Sequence, residues 1–155
     1  MGIEKITNSI YHSLPGQTFA PGWPTEQDEY RIMQLSLKTS LLGRNPVMLV
    51  SPSLLDGHST MLGRFLDSHG VRYRTELNET GRDLRNMRIS DGATHQMPAR
   101  RGWSYAVVGA GFLTVDENGY QFYSKSRNYE IGINAKHLEE INRLVPLGTP
   151  YRIKQ

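Results

Sequence analysis

The loop that follows the apolar run Val47–Val50 concentrates polar side chains of the types used in acid–base and phosphate chemistry. Its hydroxyls, carboxylate and imidazole are Ser51, Ser53, Asp56, His58, Ser59 and Thr60. An imidazole beside a carboxylate can transfer protons while the carboxylate orients the ring. The N–H groups that open the following helix attract anions, and Gly57 permits close approach. We predict His58 and Asp56 as catalytic residues, and the four hydroxyl residues as ligand contacts.

Turns and helix caps use the same residue types, so a purely structural loop is the alternative. The loop lacks the glycines of a dinucleotide-binding loop and the Gly-Lys-Ser/Thr of a P-loop. His58-Ser59-Thr60 matches one half of a two-histidine phosphoesterase, but the chain has no second His-x-Thr. Its five histidines show no metal-ligand spacing, and it has no cysteine. We predict neither a bound metal nor a cofactor.

A carboxylate pair, Glu76 and Glu79, follows the next strand-like run. A strand, a helix and a parallel second strand bring the carboxyl ends of both strands to one edge of the sheet. Glu76 is therefore expected near the His58 loop, as the third catalytic candidate.

The same stretch shows an ordered set of motifs. A strand is followed by a helix with His58, Met61 and Leu62, then by a strand with Glu76, and then by Thr80-Gly81. This order, over about thirty residues, resembles small phage enzymes that degrade S-adenosylmethionine. Those enzymes carry a tyrosine shortly after the Thr-Gly, where this chain has Arg82 and Asp83. The resemblance implies a small enzyme, a lyase or hydrolase, acting on a nucleotide-like molecule.

Residues 78–102 are polar and rich in arginine, which predicts a long loop with a short helix or strand near 82–90. Arginine binds phosphate through two parallel hydrogen bonds, and aromatic rings can stack on bases. The ligand-binding candidates are Arg82, Arg85, Arg100 and Arg101, and the stacking candidates are Trp103, Tyr105, Tyr120 and Phe122. The alternative is a solvated loop that contains its own carboxylates, beside strand aromatics that face the core.

Length and composition narrow the class of protein. The chain has 155 residues, a net charge of +3 and a sequence pI near 9.3. One domain with a single core fits this length, and the mild positive charge is compatible with nucleic acid. No apolar run approaches the length of a membrane span, so we expect no membrane partner and a cytoplasmic location.

The N-terminal third is predicted to be mainly helical. Apolar residues at helical spacing predict one helix over residues 3–14 and a second from Thr25 to Gly43, the latter through Tyr30, Met33, Leu37 and Leu41. Between them, residues 15–24 contain three prolines and two glycines and should lack regular structure. This segment is either a connector held on the core by Phe19 and Trp23, or an arm that binds a protein partner.

The rest of the chain is predicted to contain both strands and helices. Residues 47–50, 57–69 and 71–77 predict a strand, a helix and a parallel strand with a right-handed crossover. Antiparallel strands are expected at 104–108, 112–116, 120–124 and 129–133. Gly109-Ala110-Gly111 should separate the first two, and Asn118-Gly119 should form a hairpin turn. A closing helix begins at the N-cap Asn134, buries Leu138, Ile141, Leu144 and Val145, and precedes an edge strand at 151–153.

These patterns predict a single α+β domain over residues 1–155, with residues 1–24 packing on it. We expect a mixed sheet built from the β–α–β unit and the antiparallel meander, helices mainly on one face, and a ferredoxin-like core. The favoured function is binding of a nucleic acid, a nucleotide or another phosphate-bearing ligand. The alternatives are the small enzyme and a protein–protein inhibitor or assembly component, and exposed sheet edges would support a homo-oligomer.

Overall fold

A computed structural model describes residues 9–14, 18–39, 43–53, 57–68, 76–77, 83–84, 97–98, 104–126 and 131–154. Its first strands are β1 (Ile10–Leu14), β2 (Thr18–Pro21), β3 (Asp28–Thr39) and β4 (Gly43–Pro52), followed by helix α1 (His58–Ser68). The short strands β5 (Glu76–Leu77), β6 (Asp83–Leu84) and β7 (Met97–Pro98) come next. The chain continues through β8 (Ser104–Asp116), β9 (Gly119–Tyr123), β10 (Lys125–Ser126), β11 (Ile131–Gly132), α2 (Ala135–Leu144) and β12 (Tyr151–Lys154).

One large mixed sheet organises the described residues. Its order is β12-β9-β8-β3-β4-β1-β2, and β7 also pairs with β8. The β1–β4 and β9–β12 pairs are parallel, while β3 is antiparallel to both β4 and β8. Two small antiparallel pairs, β5–β6 and β10–β11, lie outside this sheet. A mixed sheet with two helices fits the predicted α+β class.

Apolar side chains cover both faces of the sheet, in two separate clusters. Met61, Leu62 and Phe65 of α1 pack on one face, against a cluster that includes Met33 and Leu49. On the other face, the α2 cluster comprises Leu138 and Ile141 with Ile32, Met48 and Val50. Because neighbouring strand residues point to opposite faces, the two described helices lie on opposite sides of the sheet. The prediction of helices mainly on one face is wrong for them.

The helix predicted from Thr25 to Gly43 is wrong, because this segment contains the central strand β3. β4 and β8 pair with its two edges, the α1 and α2 clusters cover its two faces, and Ile32, Met33, Leu35 and Leu37 are almost fully buried. A strand buried on both faces has a nearly continuous apolar sequence instead of a strict alternation. Its apolar positions therefore also match helical spacing, and tertiary pairing decides between the two.

The N-terminal predictions are also corrected. The described end of the predicted 3–14 helix is β1, and residues 18–21 of the predicted irregular arm form β2, which closes a hairpin with β1. Phe19 packs beside the α1 cluster and Trp23 beside the α2 cluster. The Trp23 indole Nε1–H donates to the Val145 carbonyl at 2.6 Å. These contacts fit the connector interpretation of this segment.

The predicted parallel crossover is not observed among the described strands. The strand after α1, β5, pairs antiparallel with β6, and the parallel neighbour of β4 is β1. The ferredoxin-like core therefore stays unconfirmed. No helix in the described part of the chain is long and apolar enough to cross a membrane.

The C-terminal predictions hold well. The β8–β9 hairpin is present, but its turn lies at residues 117–118, one residue before the predicted Asn118-Gly119, and Gly119 adopts φ 106° at the start of β9. Asn134 caps α2, and β12 forms an edge strand beside β9. Leu144 is a correction, because 52% of its surface is exposed at the last turn of the helix.

The segment Gly109-Ala110-Gly111 does not separate two strands as predicted, since β8 runs through it. The register between β3 and β8 shifts here, with Gln34 opposite Gly109 and Leu35 opposite Val107. Val108 is the extra residue of a β-bulge. The bulge turns Val107 toward the α1 cluster, whereas Leu113 further along the strand joins the α2 cluster.

Candidate functional site

The bulge in β8 is tied to the start of α2 by one asparagine. The Asn134 side-chain Nδ2–H donates to the Val108 carbonyl at 3.0 Å, and its Oδ1 accepts from the His137 backbone N–H at 3.0 Å. Asn134 therefore caps the helix and also satisfies the carbonyl of the bulged residue. Bulges often occur beside functional sites, where they redirect side chains.

Gln34 extends this connection from the middle of β3. Its side chain is fully buried, accepts from the Asn134 backbone N–H at 2.8 Å and donates to the Asn134 carbonyl at 2.9 Å. A Cβ on Gly109 would lie 2.2 Å from the Gln34 Oε1 atom. Glycine is therefore required at this position, because any side chain would displace the buried amide.

His137 completes the network as a neutral ring. Its Nε2 lies 2.8 Å from the Leu35 carbonyl, which can only accept, so Nε2 carries the proton. Its Nδ1 then accepts from the Gln34 Nε2–H group at 3.2 Å. Burial lowers the pKa of His137, although the Leu35 carbonyl and the charge of Glu140 act in the opposite direction. Both ring nitrogens are therefore already in use.

A cleft of about 400 Å³ opens beside this network. Its wall includes Ser36 and Pro46 of the β3–β4 pair, the bulged residue Val108, and the first turn of α2. The charged lining residues are Arg44, Lys136 and Glu140. Arg44 donates to the Ser36 hydroxyl at 2.7 Å, which places the guanidinium at the wall of the cleft.

The cations around this cleft occupy electrostatically unfavourable positions. Lys136 lies in the first turn of α2, where the helix dipole favours negative charge and no acidic residue is present. Arg44 lies directly opposite Lys38 on neighbouring strands, and like charges in that arrangement repel. The side chains of Lys38, Arg44 and Lys136 are all exposed. An anion bound between Arg44 and Lys136 would relieve both costs.

The loop residues predicted from the sequence have a different setting. His58 is the first residue of α1, is only 5% exposed, and donates from Nε2 to the Gly111 carbonyl at 3.0 Å. Burial is the main reason that the pKa of His58 falls from 6.5 to about 4. The Arg31 charge also lowers it, against hydrogen bonds with the backbone of Gly111 and Ile32. His58 is therefore neutral at physiological pH and packs edge-on against Phe112.

The remaining candidates are only partly described. Ser51 is buried, Thr60 is exposed, and the Ser53 hydroxyl donates to Glu29 Oε1 at 3.0 Å. Glu76 lies in β5, outside the large sheet that contains Ser51. The side chains of Ser59 and Glu76 and the whole of Asp56, Arg82, Arg85, Arg100 and Arg101 lie outside the described residues. The roles predicted for these residues stay predictions.

Of the four aromatic residues predicted to stack on bases, the structure describes the side chains of two. Phe122 is fully buried in the α2 cluster, and the Tyr120 hydroxyl donates to the Pro24 carbonyl at 2.5 Å. Both therefore face the core, as the alternative interpretation held. Trp103 and the side chain of Tyr105 lie outside the described part of the chain.

The cleft is not among the sites predicted from the sequence. His58 belongs to the α1 face of the sheet and His137 to the α2 face, so the predicted loop and the cleft are separate places. A lysine in the first turn of a capped helix was the signal available in the sequence. Within the described residues, no group of His, Asp or Glu side chains could hold a metal ion.

Comparisons with protein-family models, with curated proteins and with solved structures found no match to this chain.

Proposed function

We propose that this protein binds a nucleotide or another small phosphate-bearing ligand in the cleft between β4 and the start of α2. The observation that carries the proposal is the pair Arg44 and Lys136, two exposed cations in unfavourable positions at the wall of one cleft. Charge-assisted hydrogen bonds from such groups to phosphate are among the strongest in proteins. The His137 N–H is bonded to Asn134, but the first two N–H groups of α2 have no acceptor within the helix and add to the attraction.

The lining also suggests which part of a nucleotide would lie where. Phosphate would lie between Arg44 and Lys136, while the Glu140 carboxylate could accept hydrogen bonds from ribose hydroxyls. A cleft of about 400 Å³ lies within the usual range for small-molecule sites. The mixed charge of the lining favours a nucleotide over a simple anion, because Glu140 repels a small anion but can accept hydrogen bonds from ribose hydroxyls.

The experiment is a calorimetric titration with three probes: ATP, AMP and inorganic phosphate. Arg44→Gln and Lys136→Gln should each weaken binding of ATP and AMP by about 10- to 100-fold, the value of a charge-assisted hydrogen bond. Glu140→Gln should weaken binding of both nucleotides without weakening binding of phosphate. The control is Arg143→Gln, which removes an equal charge from an exposed position at the end of the same helix.

Equal weakening by the Arg143 and Lys136 variants would show only a general charge effect and would overturn the proposal. Absence of binding for all three probes at low salt would do the same.

The two alternative functions stay predictions. An enzyme that uses His58 with Asp56 or Glu76 would need a His58 ring freed from the Gly111 carbonyl. A role as an inhibitor or assembly component would use the 15–24 segment, part of which is the edge strand β2. No observation in the described residues favours either alternative over the cleft.

A further inference from the structure

A second surface lies on the other face of the sheet, near the end of the strands away from the cleft. Four side chains form one row across neighbouring strands, because the register pairs Arg31 with Phe112, Phe112 with Tyr123, and Tyr123 with Lys154. The row therefore reads cation, aromatic, aromatic, cation. Neighbouring strands lie about 4.8 Å apart, so the row spans roughly 14 Å.

The two rings and the arginine are held together. Phe112 and Tyr123 have nearly parallel planes, 24° apart, with centroids separated by 5.8 Å. The Arg31 guanidinium carbon lies 5.1 Å from the centroid of the Phe112 ring. The Tyr123 hydroxyl donates to the Glu29 carboxylate and accepts from the Thr114 hydroxyl at 3.2 Å. The rings are thus fixed in place without being fully buried.

A parallel row of polar side chains lies one step along the strands. Glu29 pairs with Thr114, Thr114 with Gln121, and Gln121 with Arg152. A hydrogen bond from Tyr123 is the largest of the causes that lower the pKa of Glu29, which is therefore ionised at neutral pH. This row combines acceptors, an amide and a guanidinium, the groups that pair with the edges of bases.

Among the described elements, little covers this end of the face. The buried residues of α1 pack further along the sheet, against a cluster that contains neither Phe112 nor Tyr123. The first turn of α1 reaches the row where His58 contacts Phe112, and the Ser53 carbonyl accepts from Arg31 Nε at 3.3 Å. Arg152 and Lys154 are exposed, and Arg31 and both rings are partly exposed.

We propose that this face, made of Arg31, Phe112, Tyr123 and Lys154 with the polar row beside it, binds single-stranded nucleic acid. Phe112 lies between Arg31 and Tyr123, so bases would stack on the outer faces of the Tyr123 ring and the Arg31 plane, while Lys154 and Arg152 contact phosphates. Glu29 would accept from base amino groups. A duplex would bind more weakly, because its bases are already stacked and cannot reach the rings. This function goes beyond the cleft and does not depend on it, since the two surfaces lie on opposite faces.

The test is fluorescence anisotropy with labelled single-stranded oligonucleotides, poly-dT and poly-rU, and a duplex of equal length. Tyr123→Leu removes the ring and should weaken single-strand binding about 5- to 100-fold, the range for one base–aromatic stack. Tyr123→Phe keeps the ring and should retain most of the affinity. Lys154→Gln should reduce the slope of log K against log salt by about 0.7, the value for one phosphate contact on a single strand.

Two matched controls lie on the opposite face of the sheet. Tyr151→Leu removes a ring from the same strand as Lys154, where the side chain packs against the α2 cluster, and Arg143→Gln removes a charge from α2. Both should leave oligonucleotide binding within about two-fold of wild type once folding is verified by circular dichroism. Equal weakening by the Tyr151 and Tyr123 variants, equal affinity for the duplex, or no binding at about 50 mM salt would each overturn the proposal.

Discussion

Lowering the pH should destabilise this protein well above the range in which most carboxylates titrate, because His58 is buried as a neutral ring. The ring donates to the Gly111 carbonyl, contacts Phe112 edge-on and lies at the first residue of α1. A positive charge there would lose solvation and would also oppose the helix dipole. The folded protein therefore resists protonation at a position where the unfolded chain accepts a proton readily.

The size of the effect follows from the two pKa values. Folding lowers the pKa of His58 from 6.5 to about 4, so its contribution is fully present above pH 6.5 and is lost as the pH falls toward 4. Each unit of difference is worth about 1.4 kcal/mol. Between about pH 7.5 and pH 5, the free energy of unfolding should therefore fall by about 2 kcal/mol on account of His58. Burial lowers the pKa of His137 too, so this second histidine adds a loss of the same sign.

The measurement is urea unfolding, followed by circular dichroism, at a series of pH values between these limits. His58→Gln is the informative variant, because its amide can still donate to the Gly111 carbonyl but does not titrate. The variant should start from a lower stability and lose about 2 kcal/mol less than wild type over the same range. Parallel curves for wild type and variant would refute the assignment of a neutral, buried His58, as would a wild type that gains stability on acidification.

Two further predictions concern packing around α2. Gly109→Ala should lower the free energy of unfolding by about 3 kcal/mol or more, since the new Cβ would lie 2.2 Å from the buried Gln34 amide. Gly57→Ala is the control, because its Cβ would have no neighbour within 4 Å, and similar costs for the two in urea unfolding would contradict the packing argument. Trp23→Phe should lower the free energy of unfolding by about 1 kcal/mol, because it removes the hydrogen bond to the Val145 carbonyl but keeps the ring contacts with Tyr120 and Phe122. An unchanged urea midpoint would show that this bond adds no stability.

The elements that the sequence predicted correctly are those specified by local chemistry. Asn134 caps α2 through its own side chain, and its helix follows with Leu138 and Ile141 on the buried face. The β8–β9 hairpin depends on Gly119, whose positive φ suits glycine, and on the Asp116 carboxylate, which accepts from the Asn118 N–H at 2.8 Å. Each signal lies within a few residues of the structure that it determines.

The elements that were predicted wrongly depend on distant parts of the chain. Whether the segment Asp28–Thr39 forms a helix or a strand is decided by β4 and β8, which pair with it on both sides. The glycines at 109 and 111 were interpreted as a turn, but they serve close packing. A Cβ on Gly111 would lie 2.6 Å from the Ile133 side chain and 2.8 Å from the Tyr123 carbonyl. No local pattern distinguishes a glycine required for such packing from one that turns the chain.

The cleft and the aromatic row were not predicted from the sequence for the same reason. Arg44 and Lys136 line one cleft only because α2 packs on the sheet beside β4, and the row from Arg31 to Lys154 consists of residues from four strands. The loop around His58 was conspicuous because its polar residues are adjacent in sequence. Polar residues that are adjacent in sequence are as typical of turns and helix caps as of functional sites. Residues that converge from separate elements have no local structural role that would explain their convergence.

The bulge in β8 links the core to the cleft, because it is hydrogen-bonded to the start of the helix that carries Lys136. Without the extra residue Val108, β8 could not direct Val107 toward one cluster and Leu113 toward the other. The same bulge presents the carbonyl that Asn134 satisfies, and Asn134 begins the helix that carries Lys136. The position of Lys136 beside β4 is therefore set in part by hydrogen bonds of Asn134 at the base of the cleft. A ligand that spans the two cations should accordingly bind more weakly to the Gly109→Ala variant than to wild type, although that substitution touches no charged group of the cleft.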